Sequence, residues 1–154
     1  MPGKVRLWEI VDRQSQREVK QTKLDLEERI EDWLESDISI VADDLLVIGK
    51  QVRTAFGGSI DLLCIAHNGD LTILELKRDR TPRDIVCQTL DYASWVRDLS
   101  PEEITDLANG YLKERGPLEK AFTARFGVEL PEILNDRHTM LIVASEIHRQ
   151  EPFP

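Results

Sequence analysis

Cysteine is scarce: only Cys64 and Cys87 occur, with no CxxC pair and no set of half-cystines from which to build a framework. That excludes a small disulfide-stapled fold and suits a reducing, cytoplasmic setting. No apolar run reaches the roughly 18 residues that a membrane helix needs, and the N-terminal "MPGKVRLWEI" lacks the pattern of a secretory leader. Neither GxGxxG nor GxxxxGK[ST] occurs, which removes the Rossmann and P-loop phosphate sites. The three histidines, His67, His138 and His148, show no metal spacing. Aromatics make up 6% of the chain, and Trp8, Trp33 and Trp95 read as core or interface residues.

What remains is a charged, ordinary-sized chain of 154 residues, expected to form one domain over 1–154. A chain of this length buries roughly two-thirds of its unfolded surface and needs no staples. The net charge is −9, and it is unevenly placed: residues 25–49 hold nine acids against one arginine. Such a molecule repels nucleic acid as a whole, so a nucleic-acid partner would require a local basic face or a bound cation.

Periodicity orders the elements. "VRLWEIV" reads as a short strand and "QSQREVKQTK" as a polar connection. "LDLEERIEDWL" places Leu26, Ile30, Trp33 and Leu34 on one helical face. Three strand signals follow, "LLVIGKQVRTAF", "GGSIDLLCIA" and "DLTILELK", the last two joined by the turn residues His67-Asn68-Gly69. Thr81 and Pro82 open a helix with Ile85, Val86, Leu90, Ala93 and Val96 as its apolar stripe. Ser100-Pro101-Glu102-Glu103 caps another, "LEKAFTARFG" is a short one stopped by glycine, and "HTMLIVASEI" is a last strand. The class is α/β, with a mixed sheet flanked by helices.

Chemistry concentrates in one hairpin. Asp61, Glu75 and Lys77 stand inside strands that should be buried, and a lone buried charge costs several kcal/mol. Side chains alternate along a strand, so Glu75 and Lys77 share a face, together with Leu71 and Ile73. The turn decides whether Asp61 joins them. A two-residue Asn68-Gly69 loop sets Asp61 opposite Leu76; a three-residue His67-Asn68-Gly69 loop sets it opposite Glu75. The three-residue loop ends on a left-handed residue, where glycine belongs. Two facing carboxylates repel, and a divalent cation removes the conflict. Carboxylates, a strand carbonyl and water are the hard donors Mg²⁺ prefers, and a nearby lysine can activate water or stabilise an oxyanion. The reaction suggested is metal-assisted phosphodiester hydrolysis.

The pattern "GGSIDLL" then "LELK" resembles the PD-(D/E)xK nuclease superfamily, the restriction-endonuclease-like fold with core α-β-β-β-α-β. Gln88 and Tyr92 match the Q-x-x-x-Y helix of its RecB-like and NucS-like endonuclease branches, and Glu27, with Ile30 and Leu34, matches an E-x-x-φ first helix. The likeness covers residues 24–97; residues 100–147 supply further helices and the last strand. NucS-like enzymes carry a separate DNA-binding domain ahead of the nuclease domain, for which this sequence has no room.

The resemblance implies a Mg²⁺- or Mn²⁺-dependent DNA endonuclease, with roles in repair or in processing branched or mismatched DNA. Asp61, Glu75 and the Leu76 carbonyl would hold the metal. Glu27 would support it through water, with Glu28 and Glu31 as competitors for that place. Lys77 would orient or activate the water, with Gln88 and Tyr92 behind the site. Arg53, Arg78, Arg80 and Arg83 would meet backbone phosphates. A homodimer is expected, with Trp8 or Trp95 as anchors; the last strand adds to the sheet after the helices, and if it lies at an edge its free backbone groups invite a second chain. Two rival expectations are an inactive nuclease fold that serves as a DNA-binding or assembly module, and a structural interaction domain.

Overall fold

The computed structural model describes residues 8–12, 15–18, 27–77 and 82–144. A β-hairpin, β1 (Trp8–Asp12) with β2 (Ser15–Glu18), comes first. The segment expected to be a polar connection thus supplies a strand: its alternation of Gln, Arg and Glu carries no apolar signal, and only pairing to β1 reveals it. Helix α1 (Glu27–Ser36) follows, and then β3 (Leu46–Arg53), β4 (Ser59–Ile65) and β5 (Leu71–Lys77). Helices α2 (Pro82–Arg97), α3 (Pro101–Leu112) and α4 (Leu118–Phe126) lead to β6 (His138–Ala144).

Among the described strands the main sheet has the order β3-β4-β5-β6. The first three are antiparallel neighbours, and β6 runs parallel to β5. The fold is therefore mixed α/β, and among the described strands β6 lies at an edge of the sheet. No helix among the described residues is long and apolar enough to cross a membrane.

Two apolar clusters sandwich the sheet. Leu62, Cys64, Leu74 and Leu76 meet Leu34 of α1 on one side. Leu63, Ile65, Leu71 and Ile73 meet Tyr92, Ala93 and Val96 of α2, with α3 and α4, on the other. The central strands are thus buried on both faces, which is why "LLCI" and "LTILEL" read as nearly continuous apolar runs. Each such side chain contributes roughly 1.5–3 kcal/mol on burial.

The caps follow the sequence signals. Ser100 and Glu103 form a reciprocal capping box on α3, and Gly127, at φ +72°, ends α4. Two helical faces are rotated from expectation. Trp33 is 60% exposed and Leu90 is 50% exposed. The face of α1 turned to the sheet carries Ile30, Glu31 and Leu34, and that of α2 carries Thr89, Tyr92, Ala93 and Val96. In each helix a polar side chain takes a place on the inward face, and the large apolar residue beside it is turned to water.

Candidate active site

The turn of the β4–β5 hairpin has the three-residue form. Gly69 sits at φ +87°. The Ala66 N–H donates to the Asp70 carbonyl at 2.8 Å, and the Gly69 N–H to the Ala66 carbonyl at 2.9 Å. The Asn68 side chain accepts the Asp70 N–H at 3.0 Å, which stiffens the loop. The register that results pairs Ile65 with Leu71 and Leu62 with Leu74, and so brings Asp61 to Glu75.

At that point the backbone ladder gives way to side chains. The Asp61 N–H donates to Glu75 Oε1 at 3.2 Å, and the Leu76 N–H donates to Asp61 Oδ2 at 2.8 Å. Each carboxylate is thereby fixed by a backbone amide of the strand pair. Glu75 is fully buried, and its face-mates Leu71 and Ile73 are as well, so the hairpin is not an exposed charged surface.

Strand alternation breaks at the same place. Ile60 and Leu63, three residues apart, pack in the same cluster, while Leu62 lies in the other. On β3 an ideal Cβ on Gly49 would fall 2.5 Å from the Val52 side chain, so these two, also three apart, share a side. The register runs unshifted from Lys50↔Leu62 to Val52↔Ile60. Both strands therefore turn over together, at Gln51 and Asp61. Gln51 takes the turn with a left-handed φ of +50°.

Gln51 then links a third carboxylate to the pair. Its Nε2 donates to Glu31 Oε1 and Oε2 at 3.1 and 2.9 Å, and to Asp61 Oδ1 at 3.2 Å. Glu31 comes from α1 and is 7% exposed. Burial lifts its carboxyl above the usual carboxylate range; the Gln51 amide opposes that rise, and the Asp61 charge adds to it. Lys50, next to Gln51 on β3, pairs with Asp32 at 2.8 Å and Glu35 at 3.6 Å, tying the part of α1 that follows Glu31 to the strand.

From the other face α2 brings the Q-x-x-x-Y pair. Gln88 Nε2 donates to the Tyr92 hydroxyl at 2.7 Å. Burial raises the phenol above its ordinary value, the Gln88 bond opposes this, and the charges of Glu75 and Asp61 add to it. The Tyr92 ring lies directly against Gly58, leaving no room for a side chain there. The glycine pair before β4 thus has two distinct causes: Gly57 supplies φ +87°, and Gly58 supplies space.

The structure gathers Asp61, Glu75, Gln88 and Tyr92 as expected. Leu76 is adjacent through its backbone N–H, and Arg53 is exposed two residues beyond Gln51 on β3. Glu27 starts α1 and Lys77 ends β5, but their side chains and that of Arg83 are not among those described; Arg78 and Arg80 lie outside the described residues. Among the α1 side chains described, Glu31 is the acid that reaches the site, through Gln51. Gln51 was not foreseen: a glutamine near the end of an apolar strand reads as an ordinary solvated residue.

Hard oxygen donors are what Mg²⁺ or Mn²⁺ requires, and Asp61 and Glu75 present two carboxylates held in place by backbone amides. Among the described residues no three His, Cys, Asp or Glu side chains gather closely enough to cage an ion. Asp61 and Glu75, with the Leu76 carbonyl, would be the donors for such an ion, which keeps several of its waters. No family model matches the chain, and no curated protein or solved structure matches it.

Proposed function

We propose that this chain is a metal-dependent DNA endonuclease of the restriction-endonuclease-like fold. The observation that carries this reading is the Asp61–Glu75 junction, where two carboxylates replace ladder hydrogen bonds. Behind it stands the Gln88–Tyr92 pair, on the opposite side from Glu31. Carboxylates do not belong at the buried end of a hairpin for stability's sake, since each costs free energy unless compensated. Their place is explained by a ligand that needs them.

Asp61 and Glu75 would hold the cation, with the Leu76 carbonyl as a further donor. A cation held there would supply neutralisation of the charge that develops on the phosphate. Lys77 orients the attacking water and takes up or relays its proton. The products are a phosphate monoester and a free hydroxyl. Gln88 and Tyr92 hold the α2 side of the site. Arg53, Arg78, Arg80 and Arg83 meet backbone phosphates, so binding weakens steeply with salt and is nearly blind to sequence.

A homodimer fits the edge position of β6, where Met140 and Ile142 are 39% and 37% exposed. Trp95 packs against the main core while staying partly exposed.

The test is cleavage of single-stranded, duplex and branched DNA with Mg²⁺, Mn²⁺ or EDTA, for the wild type and for Asp61→Asn, Glu75→Gln and Lys77→Ala. Metal-dependent cuts that all three variants lose support the reading. Binding without cleavage by the wild type would favour an inactive DNA-binding module, and neither binding nor cleavage a structural domain. Sedimentation at micromolar concentration addresses the dimer; a 17.7 kDa species would remove it.

A further inference from the structure

We propose that Gln51 is the positioning residue of this site: it holds Asp61 in fixed relation to Glu31, which supports the bound cation through water and not as a direct ligand. The inference rests on the nuclease reading above and adds to it a residue that no motif contains.

Three observations converge on Gln51. Its backbone is left-handed inside a strand, which for a residue with a side chain costs on the order of 1–3 kcal/mol and persists only where surroundings enforce it. It stands at the point where β3 and β4 both break alternation, facing Asp61. Its amide bonds one carboxylate on α1 and one on β4, two elements joined by no other side-chain bond to Asp61 among those described. The direction of those bonds follows from chemistry: carboxylate oxygens accept, so the NH₂ end must face them.

A neutral amide in this place has a specific consequence. Unlike Lys or Arg, it brings two carboxylates together without cancelling their charge, so their attraction for a cation is kept. Asp61 is pinned at both oxygens, Oδ1 by Gln51 and Oδ2 by the Leu76 N–H. Glu31 is drawn to the same point although α1 lies on the far side of the sheet from α2. Gln51 itself is exposed, so its bonds contribute little to the stability of the fold. What they fix is the geometry of the donors.

Glycine separates the two roles of the residue. Gln51→Gly adopts φ +50° without strain but removes the amide; Gln51→Asn tolerates that φ and keeps the amide on a stem one methylene shorter. Mn²⁺ binding by calorimetry, with no DNA present, is the readout, alongside thermal melting. Gln51→Gly is expected to melt at or above the wild-type temperature yet bind Mn²⁺ about 10–100-fold more weakly, the usual effect of losing a partner that orients a ligand. Gln51→Asn falls between the two. In the Glu31→Gln background Gln51→Gly loses much of its effect, because one of the two groups it positions is already altered. Wild-type affinity in Gln51→Gly, or strict additivity with Glu31→Gln, overturns the proposal and leaves the nuclease reading intact. Should Gln51→Gly melt below the assay temperature, wild-type affinity in Gln51→Asn and additivity in its cycle with Glu31→Gln overturn it instead. A wild type that binds Mn²⁺ no better than Asp61→Asn overturns both.

Discussion

Gly58→Ala puts a single methyl group where the Tyr92 ring now lies. An ideal Cβ on residue 58 falls 2.7 Å from Tyr92 Cε1 and 2.9 Å from Cζ, with the hydroxyl oxygen nearer still. Ordinary carbon contacts lie at about 3.5 Å or more, so the ring would have to retreat by roughly 0.6–0.8 Å. It has little room to do so. Tyr92 is 3% exposed, belongs to the main core cluster and is held by the 2.7 Å bond from Gln88. Overpacking of this kind costs about 1–3 kcal/mol, and each kcal/mol lowers the melting temperature by about 2–4 °C for a chain of this size. Urea denaturation followed by tryptophan fluorescence measures it. The informative background is Tyr92→Leu, which removes the ring: there Gly58→Ala should cost almost nothing. Gly57→Ala is the control. Nothing lies within 4 Å of a Cβ at Gly57, so its cost comes from φ +87° alone and should be the same with or without the tyrosine. If Gly58→Ala changes stability by less than about 0.5 kcal/mol, the smallest change ordinarily attributed to more than surface noise, or if Tyr92→Leu fails to rescue it, the packing argument is wrong.

Three further outcomes follow from the geometry. Glu31→Gln should stabilise the fold at neutral pH: a carboxyl raised by burial favours the folded state below its ordinary 4.5, and that advantage is lost as pH rises through the raised value. The stability difference between variant and wild type should therefore grow from pH 4 to pH 7 in urea titrations; a difference that shrinks would refute the assignment. Cys64 is fully buried, with its thiol pushed up to about 12, while Cys87 is exposed. A thiol reagent should accordingly label Cys87 alone in the native protein and both cysteines in denaturant, and native labelling of Cys64 would contradict the packing. Gly69→Ala should be more costly than Gly57→Ala, by roughly 1–3 kcal/mol from added crowding. Both have φ +87°, but a Cβ on Gly69 would also meet the Ile133 carbonyl at 2.8 Å. Equal urea midpoints for the two would show that the loop yields.

Much of the molecule was determined locally. The continuous apolar runs of β4 and β5 require burial on both faces, Ser100 with Glu103 starts α3, and Gly127 ends α4. The hairpin turn belongs to the same class: Gly69 after His67-Asn68 fixes the three-residue loop, the loop fixes the register, and the register delivers Asp61 to Glu75. The four-residue spacing of Gln88 and Tyr92 was likewise enough to join them on one helical turn. In each case the cause lies within a few residues of its effect, where periodicity and turn geometry act.

The tertiary structure decided what depends on elements distant in the chain. Which acid of "LDLEERIEDWL" meets the site depends on how α1 is rotated against the sheet, and that rotation buries Glu31 beside Leu34 while leaving Trp33 in water. A helical pattern with both an acid and a tryptophan near its apolar face does not fix the rotation by itself. Gln51 became visible only through the break in alternation that β3 and β4 share, a property of the strand pair that neither strand expresses alone. Gly58 likewise reads as a flexible turn residue, until a ring from α2, thirty-four positions later, occupies the space its missing Cβ leaves. The sequence by itself placed the carboxylates. Packing between elements chose their partners, because side-chain contact across a fold is set by the rotation and register of whole elements and not by the residue types alone.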